Sequence, residues 1–235
     1  MIQITNEDNM VVMSRYSDKY FDLAFVDPPY GINAPNMSMG TNKNRKEAGQ
    51  YPGKSTASRL RKGRLNSGSG KLKNRALNTM DCEWDFEPPS SEFWNELFRI
   101  SKNQIIFGGN YFPLPPTRGI AIWDKLQPWD NFSQFEYIWT SFDKPAHKFT
   151  VSNSGANKEK KIHPTQKPVR LLKEILQWYA KPDWKIIDTG TGSGSLAIAC
   201  YDLGFELIGC EKNADYYEAS IHWISEYQSQ GLLAV

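Results

Sequence analysis

A chain of 235 residues with 40% hydrophobic and 13% aromatic content is long enough for one α/β domain with a substantial core. The start, Met1-Ile-Gln-Ile-Thr-Asn-Glu-Asp8, has neither the basic stretch nor the apolar run of a signal peptide, and no run of ~18 apolar residues suggests a membrane span. Three cysteines, Cys82, Cys200 and Cys210, form no CxxC pair and no metal-ligand cluster, which reads as thiols of a reducing cytoplasm and no metal site.

In chain order, the first element is the apolar strand Phe21–Val26, followed at once by Asp27-Pro28-Pro29-Tyr30. Asp27 brings oxygen acceptors, the prolines fix the backbone and carry no N–H, and Tyr30 brings a stacking face, so the tetrapeptide suits a planar amino group. A strand ending in a Pro-Pro turn would read the same way.

Residues 41–78 hold eleven Lys and Arg against one Glu, within a net charge of +2 for the whole chain. Poor in apolar residues, this stretch reads as a flexible basic insertion. Lys43, Arg45, Lys46, Arg59, Arg61, Lys62 and Arg64 are its candidate nucleic-acid contacts, through phosphates and counterion release. A solvated charged insert is the plainer alternative.

A helix is expected over Ser91–Ile100, then strands over Gln104–Phe107, Gly119–Trp123 and Phe135–Phe142, the last two as a terminal hairpin. Residues 143–162 include Lys148 and Lys160, further candidates for phosphate contacts. After His163-Pro164-Thr165-Gln166-Lys167-Pro168, a helix over Val169–Ala180 presents Leu171, Leu172, Ile175 and Leu176 on one face.

Lys185–Asp188 reads as a short buried strand and Asp188-Thr189-Gly190-Thr191-Gly192-Ser193-Gly194-Ser195 as a tight glycine turn into the apolar helix Ser195–Leu203. Strand, glycine loop and helix N-terminus make a nucleotide-type site. A strand over Phe205–Cys210 ends in Glu211, placed for ribose hydroxyls or as a plain surface acid. A closing helix, Ala214–Gln228, sets Tyr217, Ile221, Ile224 and Tyr227 at core spacing.

The ordered set Phe25-Val26-Asp27-Pro28-Pro29-Tyr30-Gly31, His163-Pro164-Thr165-Gln166-Lys167-Pro168 and Asp188-x-x-x-Gly192-Ser193-Gly194 resembles the permuted β class of amino-group DNA methyltransferases, in which the catalytic motif precedes the cofactor motif. One departure is that Thr189 and Gly190 stand where the family usually has Pro and Phe. The resemblance implies a circularly permuted Rossmann-like α/β fold, with a mixed, mostly parallel sheet and a terminal antiparallel hairpin, in a single domain spanning residues 1–235. It makes Ile2–Thr5 the strand displaced to the N-terminus and sets Asp8 near the adenosine of S-adenosylmethionine (SAM).

For the cofactor the resemblance further implies Asp27, Thr165, Lys167, Asp188, Gly190, Gly192, Ser193, Gly194, Ser195 and Glu211, with Lys167 and Thr165 toward the methionine carboxylate. Asp27 and the Pro28 carbonyl are the expected catalytic acceptors for an exocyclic amino group, with Tyr30 stacked on a base flipped from duplex DNA. The Asp-first tetrapeptide points to adenine N6; cytosine N4, an RNA substrate and a non-catalytic nucleic-acid-binding subunit are the alternatives. The same likeness implies a restriction-modification setting in a bacterium or phage, 143–162 as a short target-recognition segment, and admits a homodimer.

Overall fold

The computed structural model describes residues 1–32, 84–127, 133–152 and 162–232, with the side chains of the last two left aside. Its centre is one eight-stranded sheet. In chain order the strands are β1 (Ile2–Thr5), β2 (Phe21–Val26), β3 (Ser101–Phe107), β4 (Ile120–Asp124), β5 (Phe135–Thr140), β6 (His147–Thr150), β7 (Lys185–Asp188) and β8 (Glu206–Cys210). The helices are α1 (Asn9–Met13), α2 (Ser91–Ile100), α3 (Val169–Tyr179), α4 (Ser195–Leu203) and α5 (Ala214–Leu232).

The spatial order is β1-β8-β7-β2-β3-β5-β4-β6. Pairing is parallel from β1 through β3 and again between β4 and β6, while β5 is antiparallel to both neighbours. Seven strands therefore point one way and β5 alone is reversed. The N-terminal strand lies outside β8, so the expected permutation is what the topology contains.

Both faces of the sheet are covered, which is why β2 reads as a continuous apolar run rather than an alternation. Leu23 and Phe25 face a cluster with α3, α4 and α5, whereas Ala24 and Val26 face one with Met13 and the Phe93, Trp94 and Leu97 of α2. Ser90 caps α2 by accepting from the Phe93 N–H at 3.4 Å. Gly204, left-handed at φ 76°, ends α4, and Phe205 N–H returns to the Cys200 carbonyl at 2.9 Å.

Three expectations change. The β4–β5 pair forms as an antiparallel ladder but is not terminal, because β5 inserts between β3 and β4 and β6 adds a strand beyond β4. That strand, His147–Thr150, falls inside 143–162, so part of the expected recognition segment is sheet edge. On α5 the buried positions are Tyr216, Ser220, Trp223 and Ile224, a stripe turned one residue from the expected one. Ser220 is small enough for α5 to approach the glycine loop: a Cβ on Gly194 would lie 3.3 Å from the Ser220 Cβ and 2.9 Å from Ile224.

Candidate active site

The carboxyl edge of the parallel strands collects the acids. Asp27 follows β2, Asp188 ends the adjacent β7, Glu211 follows β8, and Asp8 lies just beyond β1. Because β5 runs backwards, its amino end with Glu136 reaches the same edge, as does Lys125 after β4.

The turn after β2 is fixed by a side chain from elsewhere. Asp85, 1% exposed, accepts the N–H groups of Tyr30 at 2.6 Å and Gly31 at 3.0 Å. Tyr30 is thus turned back over its own tetrapeptide, its hydroxyl 2.8 Å from Asp27 Oδ1 and 2.5 Å from Glu136 Oε1. Lys167 Nζ lies 2.5 Å from Asp27 Oδ2 and 3.2 Å from Glu136 Oε1, and Lys125 Nζ is 2.9 Å from Glu136 Oε2. Two carboxylates and two ammonium groups are interleaved around one phenol.

Within this cluster the Lys167 and Glu136 side chains are 10% and 12% accessible, but that of Asp27 is 29%. Asp27 is the more accessible of the two carboxylates. Burial, with the Glu136 charge added, pushes the Asp27 carboxyl above its ordinary range against the pull of Lys167. Burial opposes the charge on Glu136 too, yet Lys167 and Lys125 bring it down to about 2. Burial also disfavours the Lys167 ammonium, but the two carboxylates outweigh it and its pKa rises. The Tyr30 phenol is pushed well up, first by burial and then by both acids.

One face of the Tyr30 ring stacks on Tyr111, with centroids 4.9 Å apart and planes at 15°. Gly108, at φ 67°, makes room for the ring, since a Cβ there would stand 2.4 Å from it. We expect Gly108→Ala to displace the phenol from Asp27 and Glu136 and to cost about 1–3 kcal/mol of stability. Thermal unfolding reads the stability, and an unchanged Tm would show that the ring is not held as described.

The glycine loop lies beside this cluster. Asp188 Oδ1 accepts the Gly190 N–H at 3.1 Å, and Glu211 accepts the N–H groups of Gly192 and Asn213, both at 2.9 Å. Gly194 enters α4 with φ 82° and no side-chain cap. Ser193 and Ser195 hydroxyls are 2.8 Å apart and buried. Gly190 borders open space, with nothing within 4 Å of a built Cβ, so the aromatic that the family usually carries here is replaced by a gap.

Burial lifts Asp188 to about 7, with the Asp27 and Glu211 charges adding to it. The folded chain therefore keeps a proton that the unfolded chain releases near pH 4, and stability falls as pH rises from about 4 to about 7. Asp188→Asn, which carries no titrating group, should flatten the fall in unfolding free energy over that window. Denaturant titrations at pH 5 and pH 8 read it, and an equal fall in both proteins would contradict the assignment.

The remaining expected residues are placed as follows. Lys167, expected toward a methionine carboxylate, pairs with Asp27 and Glu136. Thr165 Oγ1 lies 3.2 Å from His163 Nδ1, and the His163 ring packs edge-on to Tyr216 and 3.7 Å from a Cβ built on Gly192. Asp8 caps α1 through the Met10 N–H and pairs with Lys212 at 3.0 Å. Lys148 pairs with Asp124 at 3.3 Å on the outer strand. Lys43, Arg45, Lys46, Arg59, Arg61, Lys62, Arg64 and Lys160 lie outside the described residues. Glu136, Lys125 and Asp85 join the site from outside its sequence motifs.

The profile of the N6_N4_Mtase family, described as DNA methylase, matches residues 121–222. The type II methyltransferase M2.MboI of Moraxella bovis is 25% identical over 245 residues, spanning 88% of this chain and 82% of that protein. Over these residues the chain is similar to the amino-group DNA methylases.

In fold, the chain is similar to the crystal structure of the M1.HpyAVI–SAM complex, with a TM-score of 0.53, 17% identity and 95% and 99% of the two chains covered. It is also similar to PvuII DNA methyltransferase (cytosine-N4-specific), at 0.55, 10% identity and 97% and 90% coverage. Methylases of this family take their methyl group from SAM, and the uncapped α4 terminus with the open space at Gly190 fits such a cofactor. No helix among the described residues is long and apolar enough to cross a membrane, and none of their His, Cys, Asp or Glu side chains group as a metal site.

Proposed function

We propose that this chain methylates the exocyclic amino group of adenine, at N6, in DNA. The observation that carries the reading is Asp27: a partly accessible carboxylate just after β2, the strand next to the one that leads into the glycine loop, and steadied by Lys167 and Tyr30. An exocyclic amino nitrogen is conjugated with its ring and is a poor nucleophile. Two fixed acceptors, the Asp27 carboxylate and the Pro28 carbonyl, would take its two N–H bonds and leave the lone pair free for attack. This is orientation and preorganised electrostatics.

Asp188, Gly190, Gly192 and Glu211, with Asp8 at the neighbouring strand end, are the groups we assign to holding SAM, and Ser193 and Ser195 to shaping the loop. SAM supplies an electrophilic methyl group on a sulfonium. A base in a duplex must leave the stack to reach Asp27. Tyr111 already covers one face of Tyr30, so a base stacking on Tyr30 uses the other face or displaces Tyr111, which is 45% exposed.

The test is to express the gene in a host lacking its own DNA methylation and to map modified bases across the genome. N6-methyladenine at defined sites is the expected result. N4-methylcytosine would move the assignment to the other base of the family, and an unmodified genome would count against DNA as the substrate.

A further inference from the structure

The Tyr30 hydroxyl has two carboxylate neighbours and one hydrogen. It lies 2.8 Å from Asp27 Oδ1 and 2.5 Å from Glu136 Oε1, yet a phenol can donate to only one of them. With both acids ionised, one contact sets oxygen lone pairs against each other. The arrangement Asp27–O–H to Tyr30 O, and Tyr30 O–H to Glu136, satisfies both contacts and needs one more proton than the phenol brings. Methyl transfer to an amino nitrogen generates that proton: the methylated nitrogen bears a positive charge until one of its N–H bonds breaks.

We propose that Asp27, Tyr30 and Glu136 form one proton-accepting unit, in which Glu136 is a positioning residue that holds the phenol so that Asp27 can take the proton of the methylated amine. This rests on the methyl-transfer reading above. The N–H bond breaks with its electron pair returning to nitrogen, an O–H bond forms at Asp27 Oδ1, and the phenol hydrogen turns fully to Glu136. Nothing is oxidised or reduced.

The surrounding charges favour this direction. Lys125 and Lys167 pin Glu136 from both oxygens, at 2.9 and 3.2 Å, so it stays an anion and an acceptor for the phenol. Among the described residues the ammonium partner of Asp27 is Lys167, on Oδ2, which leaves Oδ1 for the proton. Asp27 is also the more accessible acid and can pass the proton to solvent when product leaves.

Tyr30→Phe keeps the ring and its stack on Tyr111 but removes the bridging oxygen; Glu136→Gln keeps the shape and removes the charge. Both should lower kcat on the order of 10²-fold, with KM for DNA and for SAM within about twofold. In protein carrying carboxyl-13C aspartate, the Asp27 resonance is the one lost in Asp27→Asn. It should titrate at lower pH in Glu136→Gln than in the wild type, because a neighbouring negative charge is gone.

Values of kcat within twofold of wild type in both variants would overturn the proposal. So would a loss confined to KM, or an unmoved Asp27 titration. The titration needs no substrate, so a wild-type protein that methylates nothing would refute the functional reading while the proton unit was still read directly.

Discussion

Asp27→Ala should lower methyl transfer on the order of 10³-fold while SAM affinity stays within a few fold. Removing one preorganised acceptor from a transition state typically costs 10²–10³-fold, and here the acceptor also carries the charge that matches the developing positive nitrogen. Binding should survive because the loop is held independently: Gly190 by Asp188, and Gly192 by Glu211. The fold should survive as well, since Lys167 keeps Glu136 as a partner. Single-turnover transfer to DNA, set against calorimetric titration with SAM, separates the two terms. Transfer within tenfold of wild type would remove Asp27 from the chemistry.

Lys167→Met is expected to cost more stability than any other change in the site. It leaves Asp27 and Glu136 buried near one another with Lys125 as the remaining cation of the cluster, and stripping one partner from a buried ion pair costs about 3–5 kcal/mol. At about 2–4 °C per kcal/mol for a chain of this size, Tm should fall by roughly 10 °C. The deficit should depend on pH with a definite sign. Without the ammonium, the Asp27 carboxyl is raised further and Glu136 loses part of what holds it low, so the fold loses stability as pH climbs through the Asp27 value.

The variant should accordingly be closer to wild type at pH 5 than at pH 8. A Lys167 that served the methionine carboxylate instead would show the reverse pattern: weak SAM binding and an unaltered Tm.

Much of this site is legible in the chain because its two halves sit directly on strand ends. An apolar run stopping at Asp27-Pro28-Pro29-Tyr30, and another stopping at Asp188 before three glycines, fix where the sheet edge is and which acids lie on it. The placement of β1 beyond β8 follows from the order of those motifs.

The cluster behind Asp27 is different. Glu136 is the second residue of a strand, and only the reversal of β5 brings that end to the carboxyl edge; neither its apolar pattern nor its length carries direction. Lys125 depends on the β4–β5 register in the same way. A charged residue opening an otherwise apolar strand, Phe135-Glu136-Tyr137-Ile138, was the available sign. The side chain of Lys167 could be assigned to a carboxylate from its motif, but to which carboxylate depends on a pairing 140 positions apart. Strand β6 has only four residues, with His147 and Lys148 among them, too short and polar for a periodic signal.

The central claim is that Asp27 holds an exocyclic amino group of adenine for methyl transfer. Purified protein should be incubated with DNA and SAM carrying a labelled methyl group, and the DNA hydrolysed to nucleosides and separated. Wild type should put label in N6-methyldeoxyadenosine, and Asp27→Ala should put in none. Label in N4-methyldeoxycytidine or on a ring carbon, or equal label from both proteins, would contradict it.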